Sequence, residues 1–215
     1  KLSKDKTRAI KPDGILGGNP AVPRRIDDAS RVNLYLPALG ETHDLVCAEN
    51  SLFPARNKSS IRGQYLIYKY GQATGFSVFA SHHLYRDGRI RWPETSEECA
   101  LSLFEALAFG GHTLCTTWGI RKDGKKTLYQ RPLFMKATDS ISDFLKKHQA
   151  MFGSLEHAAR VGIYTNRESQ IADAENCFAS LQGAALALLK GKIPFRLVPF
   201  DKTESLDGLE LLIVP

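Results

Sequence analysis

Apolar positions along this chain recur in two periods. Short apolar runs bounded by polar or glycine residues read as strands: "DGILGGNP" closed by a loop at Gly17, Gly18, Asn19 and Pro20, then "DLVCAE", "GFSVFASHH" and "HTLCTTWG". Between them the spacing becomes helical. "SIRGQYLIYKYGQAT" carries Ile61, Tyr65, Tyr68 and Gln72 at one-turn intervals, and "TSEECALSLFEALAFGG" carries Ala100, Leu103, Phe104 and Leu107. The second of these opens on a capping box at Thr95 and Glu98 and stops at Gly110-Gly111. "SISDFLKKHQAMFG" places Ile141, Phe144, Leu145, His148, Met151 and Phe152 on one face, with Gly153 as its stop. Residues 1–11 are a basic, polar lead-in ending a helix, and residues 21–40 are rich in Pro and Arg with "VNLYLP" as their one ordered piece.

The order strand, strand, helix, strand, helix, strand, helix predicts parallel strands joined by right-handed crossovers. "GSLEHAA" then forms a short polar hinge, and a second series begins with "RVGIYTN". One long Ala- and Leu-rich helix from about Ile171 to Lys190, stopped by Gly191, leads to the strands "FRLVPF" and "LELLIVP". That is the opening half of a doubly wound sheet. The expected domains are residues 1–153 and 154–215, with the boundary near Ser154 and no internal repeats.

Composition narrows the class. The 215 residues are 43% hydrophobic and 24% charged, enough for a buried core. No apolar run approaches the roughly 20 residues that cross a bilayer, and no leader precedes the first element, so no membrane association is expected. The net charge of +6 is spread among acidic residues instead of gathered in blocks, which argues against a nucleic-acid partner. Cys47, Cys99, Cys115 and Cys177 lie far apart in apolar surroundings, without a C-x-x-C pair or histidines at ligand spacing; they read as buried free thiols, with no metal. The chain opens at Lys1 and closes on an apolar strand, and both ends are expected to be cut from a longer protein. Localisation is left open between cytoplasmic and secreted.

In a β/α barrel, side chains at the carboxyl ends of the strands converge on one face. Here those ends carry Asn19, Glu49, Ser81 with His82 and His83, and Thr116 with Thr117 and Trp118. An amide, a carboxylate, imidazoles, hydroxyls and an indole at one mouth suit a carbohydrate, which offers hydroxyls to hydrogen-bond and a C–H face for an aromatic ring. Taken singly, each has a plainer role: Asn19 capping a loop, the histidines on a rim, Trp118 in packing, Glu49 solvated or paired with Arg56 or Arg62. Glycoside hydrolysis needs two carboxylates, and Glu49 is the candidate for one of them.

The runs "LFEALAFGGHTLCTTWG", "FLKKHQAMFGSLEHAARVGIYTNRE", "LQGAALALLKGKIPFRLVPFD" and "LELLIVP" resemble the junction between catalytic barrel and following domain in glycoside hydrolase-like proteins related to family-42 β-galactosidases. The resemblance implies the C-terminal half of a (β/α)8 TIM-type barrel followed by the first half of a flavodoxin-like or amidotransferase-like trimerisation domain. It also implies a carbohydrate substrate, no cofactor and a homo-oligomer through the second domain. Glu49 would be catalytic, and Asn19, Ser81, His82, His83, Thr117 and Trp118 would bind substrate. The strand count puts Glu49 two strands before the last barrel strand; the family's nucleophile lies one strand before it, where this chain has Ser81 and His82. Its other carboxylate comes from earlier in the barrel. In the second domain "YTNRESQ" does not fit a G-x-G-x-x-G phosphate loop, and no nucleophile elbow is visible. The competing reading is a non-catalytic carbohydrate-binding or assembly protein on the same fold.

Overall fold

The computed structural model describes residues 2–22, 42–51, 64–75, 77–83, 85–86, 89–90, 95–110, 112–113, 132–152, 158–202 and 206–215. The chain is mixed α/β with small parallel sheets. It divides into two compact units, Lys1–Ala48 with Gly63–Val78 and His157–Pro215 in the first, Glu49–Arg62 with Phe79–Glu156 in the second. The first unit thus draws on the beginning, middle and end of the chain. The boundary expected near Ser154 lies outside the described residues, as does "VNLYLP".

In the first unit, helix α1 (Leu2–Ile10) precedes strand β1 (Gly17–Val22), which pairs in parallel with β2 (Leu45–Ser51), a strand whose last residues, from Glu49 on, fall in the second unit. Asp44 ties these pieces together. Its carboxylate takes Lys4 Nζ at 2.6 Å, Arg8 Nη2 at 2.8 Å and the Leu16 backbone N–H at 3.0 Å, while its carbonyl accepts the Ser77 N–H at 3.0 Å. The Leu16 hydrogen bond, followed by the Lys4 contact, holds this carboxyl below its ordinary pKa.

Helix α2 (Gln64–Thr74) buries Tyr65, Leu66, Ile67, Tyr68 and Tyr70, so it is covered well beyond one stripe. Strand β3 (Ser77–His83) follows, after Gly75 turns the chain at φ 87°. The sheet order is β1-β2-β3-β6, where β6 is His112–Thr113 and pairs in parallel with β3 through Phe79–His112 and Ala80–Thr113. Strands β4 (Tyr85–Arg86) and β5 (Arg89–Ile90) form a small antiparallel pair.

In the second unit, helix α3 (Ser96–Ala108) packs on α4 (Pro132–Lys147), with the short α5 (Gln149–Phe152) after it. Helix α4 begins eight residues before the expected Ser140, on a proline whose missing N–H is harmless at the first helical position. Phe144 is its anchor, edge-on to Phe104 at 5.5 Å and to Phe152 at 5.7 Å, with the His148 ring at 4.7 Å. Glu97 in the first turn of α3 is held below its ordinary pKa by its own backbone N–H, the Ser96 and Thr95 hydroxyls and Lys136, whereas burial pushes Glu105 up.

The end of the chain, again in the first unit, forms a three-stranded parallel sheet in the order β8-β7-β9, from β7 (Val161–Thr165), β8 (Phe195–Pro199) and β9 (Leu211–Ile213). Ile163 and Leu197, paired across β7 and β8, are almost fully buried. The expected single helix is two: α6 (Arg167–Ala172) and α7 (Ala174–Lys190). Asp173 separates them. Its N–H closes α6 on the Ser169 carbonyl, and its carboxylate caps α7 by accepting the Asn176 N–H at 3.3 Å and side-chain amide at 2.7 Å. Leu181, Ala185 and Leu188 form the buried face of α7. Helix α2 packs on β8, where burial lowers the pKa of Lys69, whose ammonium lies 6.0 Å from the Phe195 ring centre.

Candidate functional site

The expected site residues fall on three strands and one stretch outside the described residues. Asn19 is not in a loop: it is the third residue of β1. The "GGNP" run reads as a turn by composition, yet among the described residues β1 is an outer strand of its sheet, where Pro20 costs little because an edge tolerates a missing N–H. The pairing shifts register between Gly18 and Val22, so Asn19 and Pro20 lie at an irregularity in the ladder.

Glu49 does not end its strand either; β2 runs on through Asn50 to Ser51. Upstream of it Val46 and Cys47, which point to opposite faces, are both buried, as in a strand covered on both sides. On the neighbouring strand β3, Ser81, His82 and His83 are the last three residues, following Ala80, which pairs with Thr113 of β6. Thr117 and Trp118 lie outside the described residues. The expected residues therefore do not form one set: Asn19 belongs to the first unit, and Glu49 with Ser81 to His83 to the second.

Sequence reasoning missed two features. Asp44, one residue before β2, gathers Lys4, Arg8 and the Leu16 N–H on one carboxylate, and its only sequence signal is an acid ahead of an apolar run. The other is a crevice of about 110 Å³ at the carboxyl end of β7, whose lining includes Thr165, Asn166, Ser169, Cys177, Leu181 and Val214. Only the folded topology brings residues so far apart in sequence together. Among the described residues no three His, Cys, Asp or Glu side chains are grouped to hold a metal, and no helix is long and apolar enough to cross a membrane. No protein-family model matches the chain, and no curated protein matches its sequence.

Proposed function

We propose that the chain is glycoside hydrolase-like, acting on O-glycosidic bonds of a carbohydrate with Glu49 as a catalytic carboxylate. In this reading the β1-β2-β3-β6 sheet is part of a (β/α)8-type barrel, and β7 to β9 open a flavodoxin-like domain through which copies associate. Ser81, His82 and His83 hold sugar hydroxyls, with Asn19, Thr117 and Trp118 completing the substrate contacts, and the chemistry requires no cofactor.

The observation that carries the reading is the placement of polar chemistry on neighbouring strands of the second unit. Strand β2 closes on Glu49, Asn50 and Ser51, and β3 closes on Ser81, His82 and His83, after apolar beginnings in both. A carboxylate that a closing site desolvates is tuned for proton transfer when donors surround it, which is the role this reading gives Glu49. The test is hydrolysis of a panel of nitrophenyl glycosides by the full-length protein and its Glu49→Gln variant. Turnover of the accepted glycoside falls about 100-fold or more in the variant, the usual scale for loss of a general acid or base. Unchanged turnover removes Glu49 from the chemistry; sugar binding without any turnover favours the binding-protein reading.

A further inference from the structure

The strand order β8-β7-β9 has a second consequence. From β7 the chain crosses to β8 on one side, then returns to lie on the other side of β7 as β9. In open parallel sheets such a reversal leaves a crevice beyond the carboxyl ends of the strands, where segments leaving in opposite directions part. The crevice of about 110 Å³ lies there: Tyr164, Thr165 and Asn166 come from the end of β7, Val214 and Pro215 from the chain just past β9. Cys177 and Leu181, one turn apart on α7, form its wall.

The lining sets the ligand class. None of these side chains is a carboxylate, an ammonium or a guanidinium. The charges nearby in sequence are Arg167, Glu168 and Asp173, of which the two acids are exposed, and α6 has only six residues, so the described lining itself is uncharged and suits a neutral ligand. What the crevice offers is mixed hydrogen bonding beside an apolar wall. Asn166 accepts the Glu168 N–H on Oδ1 at 2.9 Å, which leaves its NH2 as a donor. The Ser169 hydroxyl can give or take, and the buried Thr165 hydroxyl, directed to the Val198 carbonyl at 3.5 Å, keeps lone pairs to accept. Leu181, Val214 and Pro215 supply carbon surface. We propose that this crevice binds a small neutral polyol, whose hydroxyls both donate and accept while its C–H face lies on the apolar wall.

The site shares no residue with Glu49 or the strand ends around it, so either assignment can fail alone. Cys177 is half-buried in the crevice and serves as reporter. In the intact chain its alkylation by iodoacetamide is followed by mass spectrometry, with methyl α-D-glucoside, inorganic phosphate or flavin mononucleotide added in turn. The glucoside slows alkylation in proportion to occupancy, about fourfold at three times its dissociation constant; phosphate and the flavin nucleotide do not. Ser169→Leu fills the crevice and abolishes the protection. Asn166→Asp keeps the helix cap but replaces the NH2 donor with a carboxylate, and weakens the glucoside about tenfold. No protection by the glucoside, protection by phosphate or the flavin nucleotide in its place, or full protection persisting in the folded variants overturns the assignment.

Discussion

Three donors converge on the Asp44 carboxylate, and they set how the first unit responds to acid. Because the folded pKa lies below the ordinary 3.8, the folded state binds fewer protons than the unfolded chain as pH falls. The stabilisation is therefore complete above 3.8 and is lost as pH drops through the lower folded value. Asp44→Asn is expected to weaken urea resistance at pH 7, and the gap between variant and wild type to close on acidification below that window. A gap that stays constant with pH would mean the carboxylate's charge is immaterial. Another single residue carries backbone strain: Gly191 ends α7 in a right-handed conformation, and Lys192 after it takes the left-handed one at φ 55°. The Lys192 N–H donates to the Leu189 carbonyl at 3.0 Å and the Ile193 N–H to the Leu188 carbonyl at 2.9 Å, a Schellman ending with a lysine where glycine is usual. Lys192→Gly relieves the Cβ clash but loosens the unfolded chain, for a net gain of about 0.5–1 kcal/mol, measurable by denaturant midpoint.

The elements that were legible in sequence are those whose own side chains determine them. Helix α3 follows from its apolar spacing and its Gly110 stop, which adopts φ 78°. The break between α6 and α7 was hidden because Ala- and Leu-rich periodicity runs through it, whereas the decisive contacts are local ones made by Asp173 to Asn176. Strand β1 was hidden for the opposite reason: glycines and a proline disfavour a strand by themselves, and pairing with β2 overrides that preference. Central strand β7 shows how tightly pairing constrains a position. A Cβ at Gly162 would lie 2.6 Å from Leu209 Cδ1, 2.8 Å from Val198 Cγ2 and 3.2 Å from Leu212 Cδ1. The leucine tips can yield, but Val198 is buried in β8, so Gly162→Ala is expected to destabilise by roughly 1–3 kcal/mol as overpacking. A thermal midpoint equal to wild type would show that the sheet gives way freely at this point.

At the scale of the molecule, alternation of strands and helices was readable, while membership of the units was not, since residues 1–48, 63–78 and 157–215 cluster together only through long-range contact. The same limit applies to sites. That polar residues such as Glu49 and His82 follow the apolar parts of β2 and β3 is readable from where those runs stop, but the crevice beside Thr165 and Val214 needs the order of strands in the sheet. Burial is also uneven. Among the described residues the largest fully buried side chains are Tyr65, Tyr68, Leu66, Ile67, Ile163 and Leu197, all in the first unit. In the second unit, α3 and α4 meet through Phe104 and Phe144, neither fully enclosed, over the buried Ala106, Ala137 and Ile141. Because the free energy of local opening scales with the apolar contacts broken, the two units should differ in native-state hydrogen exchange. The slowest amides are expected in β7, β8 and α2, where paired strands lie under a buried helix, and the amides of α3 and α4 are expected to exchange sooner, through openings that leave β7 and β8 protected. Exchange of α3 and α4 as slow as that of the Ile163–Leu197 pair would show instead that the whole chain opens as one cooperative structure.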